Sequence, residues 1–185
     1  RDAPVRQVAA LELCLLREAI AEVCPEAETA LALQGLAGYP ILQSGTAEQI
    51  DAYLPGIASG GLVAAFALTE TDAGSDAAAL TLLAEPDGTA SSADGSVTRW
   101  RLTGEKRWIS NAPDADVYTV FARTTVGAGA RGVSAFAIPA DRPGLSGQPL
   151  ELLAEHPIGT VTFDGVPVSS ADLLGEQDRG FRVAM

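Results

Sequence analysis

The spacing of apolar residues divides the chain into a helical first third and a β-rich remainder. Between residues 5 and 23, apolar side chains form a broad stripe that predicts a helix packed on more than one side. Pro25 ends this helix, because proline cannot continue a helix interior. A second helix is predicted from Glu26 to about Leu36, and Gly35 and Gly38 are expected to loosen its end.

A third helix is predicted from Ala47 to about Ile57. Thr46 and Gln49 have the spacing of a capping box, in which each side chain accepts a hydrogen bond from the other residue's backbone. Ser59-Gly60-Gly61 is expected to end the helix. Composition changes at this point, and short apolar runs begin to alternate with clusters of Gly, Pro, Asp and Ser.

Strands without intervening helices predict an antiparallel β-barrel or sandwich, so the fold class is α+β, a helical segment followed by a β domain. We expect domain limits at 1–60 for the helices, 61–175 for the β domain and 176–185 for the start of a further helical region. The dipeptides Asp87-Gly88 and Asp94-Gly95 predict turns. The predicted strands are residues 62–69, 80–84, 97–103, 106–109, 117–123, 133–139 and 160–164.

A net charge of −12 argues against nucleic-acid binding and against docking on anionic lipid. The apolar runs are too short to span a membrane, and no secretory signal is evident. Cys14 and Cys24 are too far apart on one helix for a disulfide, which predicts buried free thiols in a reducing, cytoplasmic compartment. His156 is the only histidine, so neither a metal-ligand cluster nor a Ser-His-Asp site is expected.

The first candidate site segment runs from Phe66 to Asp76. Here an apolar strand ends at Thr69, and the small residues Ala73-Gly74-Ser75 allow the backbone to approach a ligand closely. Exposed amides in such a loop can cradle a pyrophosphate, and the Ser75 hydroxyl adds a donor. The alternative is an ordinary polar loop whose side chains satisfy their own backbone.

The second segment ends in Trp108-Ile109-Ser110. Strand alternation places Trp108 and Ser110 on one face, where the indole could pack on a ring system while the hydroxyl reaches a ring-edge nitrogen. Alternatively, Trp108 belongs to the core and Ser110 ends a strand. Together the two segments are typical of a site for a flat ring with a phosphate tail, as in a flavin nucleotide.

The ordered set of motifs resembles the acyl-CoA dehydrogenase family over about residues 36–185. The motifs are Thr69-Glu70-x-x-Ala73-Gly74-Ser75-Asp76, Gly104-x-Lys106-x-Trp108-Ile109-Ser110-Asn111, Tyr39-Pro40-Ile41-Leu42, Phe163-Asp164-x-Val166 and Leu174-Gly175-Glu176. Each motif is modest by itself, and their order along the chain carries the resemblance.

The resemblance implies an FAD site and an acyl-CoA or other acyl-thioester substrate in fatty acid metabolism. The strand that contains Phe66, Leu68 and Thr69 would lie along the pyrimidine side of the ring, with Thr69 hydrogen-bonded to it. Gly74 and Ser75 would meet the pyrophosphate, and Ser75 would also touch the substrate. Trp108 and Ile109 would flank the ring, and Ser110 would lie near N5. Lys106 and Asp76 would support the site, or Lys106 is a solvated strand charge.

The resemblance also implies that the catalytic glutamate comes from a C-terminal helical domain, so no catalytic residue is expected within these 185 residues. An electron-transfer flavoprotein as acceptor and a homo-oligomer are further implications. Thr71 replaces a proline usual in the family, and residues 153–159 depart from its usual Gly-x-Arg-x-Ser. Two alternatives remain: a flavin monooxygenase of the same fold, and a non-catalytic flavin-binding partner subunit.

Overall fold

A computed structural model describes residues 9–92, 95–153 and 156–185. Helices precede a sheet of seven strands, and a short helix follows the sheet. The elements are α1 (Ala10–Ala21), α2 (Pro25–Ser44), α3 (Ala47–Ser59), β1 (Ala64–Ala67), β2 (Leu83–Ser92), β3 (Gly95–Ser110), β4 (Val117–Arg123), β5 (Val133–Pro139), β6 (Leu145–Pro149), β7 (Ile158–Ser169) and α4 (Gly180–Ala184), with 3-10 turns at Ala77–Ala79 and Gly129–Gly132.

Helix α1 does not pack on several sides as its broad apolar stripe predicted. None of its residues is buried, and Leu11 is 70% exposed. The stripe stays uncovered because α2 is the element that α1 packs against in the described part of the chain. The two cysteines are free, but Cys14 is exposed and Cys24 half-buried, so the prediction that both are buried is wrong.

Helix α2 continues eight residues beyond its predicted end, through Gly35, Gly38 and Pro40. The buried residues Ala37, Gly38, Pro40 and Ile41 all lie in this second half, so tertiary packing outweighs the poor helix propensities. A Cβ on Gly38 would lie 3.2 Å from Cγ2 of Ile57, so the glycine permits close approach of α3. Pro25, predicted to end the first helix, begins the second.

The capping box at the start of α3 is confirmed. Thr46 Oγ1 accepts from the Gln49 backbone N–H at 3.3 Å, and Gln49 Oε1 accepts from the Thr46 backbone N–H at 2.9 Å. The Gln49 amide nitrogen also donates to the carbonyls of Ala171 at 2.9 Å and Leu173 at 3.1 Å. One side chain therefore caps α3 and joins it to the far end of the β domain.

The predicted succession of helices and a β domain is confirmed, and the sheet curls into a mixed half-barrel. Its strand order is β1-β4-β2-β3-β7-β6, with β5 pairing on the other side of β4. Most pairings are antiparallel as predicted, but β1 runs parallel to β4, and so does the single β2–β4 pairing Leu83–Arg123. The parallel pairing places the strand after the helices beside β4, at the end of this strand order.

The two predicted strands at 97–103 and 106–109 form one strand, β3. Gly104 adopts a φ of +141°, where the register against β7 shifts, so the glycine bends the strand without ending it. Asp87-Gly88 is likewise a register shift within β2 and not a turn. Asp94 lies outside the described residues. Strand β6 was not predicted, because its sequence Leu-Ser-Gly-Gln-Pro lacks the apolar alternation of a strand.

Two apolar clusters cover the faces of the sheet. One is formed by residues of the β domain and includes Trp100, Leu102 and Phe163. The other lies between the sheet and the helices and includes Ile41, Phe121 and Leu174. No helix within 9–92, 95–153 and 156–185 is both long and apolar enough to cross a membrane.

The segment that precedes α4 is fixed to β5 and to the residue after β4 by a polar cluster. The Asp178 backbone N–H donates to Ser134 Oγ at 2.8 Å, and the Asp178 carboxylate accepts from Thr124 Oγ1 at 2.7 Å. Gly180 lies directly against the backbone of β5, where an added Cβ would lie 2.3 Å from the carbonyl carbon of Ser134. Only glycine therefore permits this contact.

Candidate functional site

The two candidate segments lie side by side in the fold. The Arg107 backbone N–H donates to the Thr69 carbonyl at 3.0 Å, and Lys106 Nζ donates to the Leu68 carbonyl at 2.9 Å. These bonds join the end of β3 to the residues that follow β1. The two sequence motifs, joined by residues that are 38 positions apart in the chain, thus form one continuous surface.

A buried ion pair lies beneath this surface. Lys106 Nζ is 2.7 Å from Glu70 Oε1, and the side chains are 0% and 6% exposed. Glu70 also accepts from the Leu82 backbone N–H at 2.9 Å and from both the backbone N–H and the hydroxyl of Thr81. The interpretation of Lys106 as a solvated strand charge is wrong, since the pair links three segments of backbone below the site.

The pKa values of the pair follow from burial and mutual attraction. Burial lowers the pKa of Lys106 to about 8, although the charge of Glu70 acts to raise it. Burial acts to raise the pKa of Glu70, but the Lys106 charge and the hydrogen bonds to the carboxylate outweigh it, so that pKa lies below its usual value. The ion pair therefore serves to hold Glu70 ionised as a structural acceptor.

The side chains of Phe66 and Leu68 belong to the cluster between the sheet and the helices. The Phe66 ring packs against Phe121 with centroids 5.0 Å apart, and Leu68 is half-buried nearby. Thr69, also half-buried, is the first residue past them toward the loop. Phe66 and Leu68 can therefore contact a ligand through their backbone.

The loop from Glu70 to Asp76 has a rigid base and an open tip. Glu70 and Ala73 exchange two backbone hydrogen bonds, at 3.1 and 3.3 Å, and Ala73 is buried. Gly74 and Ser75 are exposed, and a Cβ on Gly74 would meet no atom within 4 Å. A ligand can thus approach the backbone of the tip directly.

Arg123 supports the same loop from the other side. Its guanidinium donates to the Ala78 carbonyl at 2.7 Å and to the Leu80 carbonyl at 2.8 and 3.0 Å. These carbonyls belong to the 3-10 turn that follows the loop and to the residue that ends it. The small residues of the tip therefore lie between two fixed structures, the Glu70–Ala73 turn on one side and the carbonyls bound by Arg123 on the other.

Trp108 has an unusual backbone conformation at a bulge in β3. Its φ is +61°, and Lys106 pairs with Val161 while Ile109 pairs with Gly159, so Arg107 and Trp108 together oppose one residue of β7. A bulky residue in this region of φ is costly and is found where the surrounding structure enforces it, often at functional sites.

The same bulge turns the Trp108 indole outward, where 49% of its surface is exposed. The Arg107 guanidinium carbon lies 5.1 Å from the indole centroid, which covers one part of the ring with a cation. Ile109, in contrast, is 1% exposed and packs in the same apolar cluster as Trp100. The alternative that Trp108 belongs to the core is wrong.

Ser110 has a partner that sequence reasoning missed. Its Oγ lies 3.0 Å from His156 Nε2, and both residues are half-buried. Ser110 pairs with Ile158 in the β3–β7 register, and this pairing brings the residues just before β7 alongside the hydroxyl. Knowing this register in advance would have revealed the contact, since His156 lies two residues before Ile158.

These residues fit a flat aromatic ring with a phosphate tail. A half-exposed indole and a hydroxyl lie on either side of a buried isoleucine, and an open, glycine-containing tip lies on the adjoining loop. They do not fit a metal: among the described residues, no group of three or more His, Cys, Asp or Glu is placed to hold one. Of the carboxylates on this loop, Glu70 is engaged by Lys106, and Asp72 and Asp76 are exposed.

Comparison with known proteins defines the family. Residues 65–166 match the family described as acyl-CoA dehydrogenase, middle domain, and residues 6–61 match acyl-CoA dehydrogenase, N-terminal domain. The chain therefore belongs to the acyl-CoA dehydrogenase family.

Three similar proteins illustrate the range of the family. The human mitochondrial very long-chain specific acyl-CoA dehydrogenase is 42% identical over 153 residues, covering 78% of this chain and 22% of that protein. The solved glutaryl-coenzyme A dehydrogenase glutaryl-CoA complex has a TM-score of 0.81 and 35% identity, covering 90% of this chain and 41% of that chain.

A glutaryl-CoA dehydrogenase from Mycobacterium smegmatis in complex with FADH2 has a TM-score of 0.72 and 28% identity, covering 85% of this chain and 38% of that chain. The chain thus spans less than half the length of each of these three proteins.

Proposed function

We propose that this chain binds FAD non-covalently and forms the flavin-facing part of a site for the α,β-dehydrogenation of an acyl-CoA. The observation that carries the proposal is the indole of Trp108, held outward by a costly backbone conformation beside an open loop. A strained aromatic residue that the core does not use is best explained by a ring that packs on it. The bound complex of a similar protein with FADH2 supports the choice of flavin.

Each segment has a distinct role in this proposal. The Leu68 and Thr69 carbonyls already accept hydrogen bonds from Lys106 and Arg107 of β3. The Thr69 hydroxyl and the remaining backbone groups before it therefore bind the pyrimidine edge. Gly74 and Ser75 bind the pyrophosphate, and Ser75 also touches the substrate. Ile109 supports the ring from the core, and Ser110 faces a ring-edge nitrogen. FAD supplies hydride acceptance when bound.

We further propose that the base that removes the substrate α-proton lies outside these 185 residues. Glu70 is a buried carboxylate within the first segment, and the hydrogen bonds that it accepts from Lys106, Thr81 and Leu82 leave it no role at a substrate carbon. A positioned base typically contributes about 10²–10⁴-fold in rate. The chain therefore supplies cofactor binding. We also propose that the protein is a homo-oligomer and that an electron-transfer flavoprotein is its electron acceptor.

The proposal is tested first by cofactor binding. The full-length protein, purified and reconstituted with FAD, should be yellow and should release intact FAD on denaturation. A folded protein that stays colourless in the presence of excess FAD would overturn the site assignment.

Two serine variants then test the residue roles. Ser75→Ala should weaken FAD or acyl-CoA binding by about 1–3 kcal/mol, the usual cost of a lost buried hydrogen bond. Ser110→Ala should change the flavin midpoint potential more than the affinity. Ser146→Ala, at an exposed position of edge strand β6, is the matched control and should change neither.

The reaction is tested on the reconstituted protein with acyl-CoA substrates and an artificial electron acceptor. Bleaching of the flavin by an acyl-CoA under anaerobic conditions, with formation of the enoyl product, is the expected result. Rapid reoxidation by air with an oxygenated product would show a monooxygenase. Flavin binding without bleaching by any thioester, and co-purification with a second polypeptide, would show a partner subunit.

A further inference from the structure

The contact between Ser110 and His156 is not used by the roles given so far. The Oγ to Nε2 distance of 3.0 Å is that of a direct hydrogen bond. The Asn111 backbone N–H donates to the Pro157 carbonyl at 2.8 Å, so residues adjoining both partners are also bonded to each other. The pair is therefore held in place by a backbone hydrogen bond directly beside it.

A serine hydroxyl carries one hydrogen and can give it to only one acceptor at a time. If His156 Nε2 lacks a proton, it accepts from Ser110, and the serine oxygen can only accept from a ligand. If Nε2 carries a proton, it donates to Ser110, and the hydroxyl hydrogen is free to be donated to a ligand. The state of His156 Nε2 therefore decides which of the two hydrogen bonds Ser110 can make.

A flavin presents different hydrogen-bonding groups at its central ring nitrogen in its two redox states. That nitrogen accepts a hydrogen bond in the oxidised ring and carries an N–H in the reduced ring. A hydroxyl facing it must donate in one state and accept in the other. A lone serine achieves this by rotating its hydroxyl. Because Ser110 is hydrogen-bonded to His156, the imidazole must also exchange its donor and acceptor roles.

We propose that His156 is a positioning residue that sets the direction of the Ser110 hydrogen bond toward the flavin and thereby its midpoint potential. The inference rests on the proposed function, since it takes Ser110 to face the ring. An imidazole suits the part because its ring nitrogens can exchange donor and acceptor character. An aliphatic side chain at this position could neither donate nor accept a hydrogen bond.

The test is the flavin midpoint potential in the full-length FAD-bound protein. His156→Leu removes the partner at similar size and should change the equilibrium constant for two-electron reduction about fivefold, or about 20 mV, given about 30 mV for each tenfold change. His156→Gln, whose amide can donate as well as accept, should restore most of the original value. If His156 were only structural, His156→Gln would restore the midpoint potential only where it also restored thermal stability.

Coupling to Ser110 is the second readout. In the Ser110→Ala background, His156→Leu should no longer change the potential, because its effect passes through the missing hydroxyl. Equal shifts in both backgrounds, or no shift in either, would overturn the inference. The potential can be measured only if FAD binds, so a colourless protein would refute the proposed function, and a yellow protein with an unchanged potential would refute this inference alone.

Discussion

The side chains of Lys106 and Glu70 meet at 2.7 Å in a position where neither is accessible to more than a trace of solvent. The lysine also binds the Leu68 carbonyl, and the glutamate also binds the Leu82 backbone N–H. One ion pair thus sets the relative position of β3, the residues after β1 and the start of β2. The loop that we assign to the pyrophosphate begins at this glutamate.

Replacing Lys106 with Met should lower the free energy of unfolding by about 3–5 kcal/mol, because it leaves Glu70 as an unpaired buried charge. The double variant Lys106→Met/Glu70→Gln should recover part of this loss, since the charge is then gone. Denaturant unfolding measures both. The control is Arg101→Met, which breaks the exposed Arg101–Asp87 pair and should change stability by less than about 1 kcal/mol.

The Lys106 ammonium should titrate with a pKa of about 8 in the folded protein. A 13C-labelled lysine signal, assigned by its loss in Lys106→Met, reports it directly. Glu70→Gln should lower this pKa further, because the glutamate charge acts to raise it. An unshifted lysine titrating near 10.4 would contradict the burial described above.

This lysine also predicts a pH dependence of stability. The unfolded lysine keeps its proton up to about pH 10.4, while the folded lysine loses it near 8. Between these values the unfolded state binds more protons, so the contribution of Lys106 to stability increases as pH rises from about 8 to about 10.4. Below about 8 both states bind the proton, and the contribution stays constant at its lowest value. The measurement is the difference in unfolding free energy between wild type and Lys106→Met across that range.

Two glycine substitutions should have opposite effects. Gly35→Ala lies in the interior of α2 with no atom within 4 Å of the added Cβ, and should stabilise the protein by about 0.5–1 kcal/mol. Gly180→Ala places a Cβ 2.4 Å from the Ala135 nitrogen and should destabilise by about 1–3 kcal/mol or more. Thermal unfolding of both variants checks the pair, and destabilisation by Gly35→Ala would show that α2 is not a continuous helix there.

Trp108→Gly should separate stability from cofactor binding. Glycine adopts the φ of +61° without strain, which offsets the lost packing of a half-exposed indole, so the apoprotein should lose less than about 1 kcal/mol. FAD affinity should fall, because the surface for the ring is gone. Unfolding and FAD titration are measured on the same variant. Equal losses in both would indicate that Trp108 serves the fold.

The sequence predicted those parts of the fold that local chemistry determines. The capping box at Thr46 and Gln49 and the strands at 117–123 and 133–139 are found as predicted. Where tertiary packing decides, prediction was wrong: α2 runs through Pro40 because its second half is buried. Likewise, Gly104 bends one strand and does not separate two, because β7 pairs with β3 on both sides of it.

The site shows the same division. The motifs identified both segments, and the structure places them in contact through Arg107 and Thr69. The bulge at Trp108 could not be predicted, since it depends on the register of β3 against β7. The bond from Ser110 to His156 depends on the same register and was missed for the same reason. The residue roles toward FAD stay predictions that the experiments above decide.

The bond between Gln49 and Ala171 also constrains the order in which the protein can be completed during synthesis. Its two ends are 122 residues apart in the chain, so the ribosome must deliver almost the whole β domain before the bond can form. In a nascent chain that stops short of Ala171, α3 has its capping box and its packing against α2 but not this bond. The helical segment therefore acquires this anchor only after the last strand of the sheet has been synthesised.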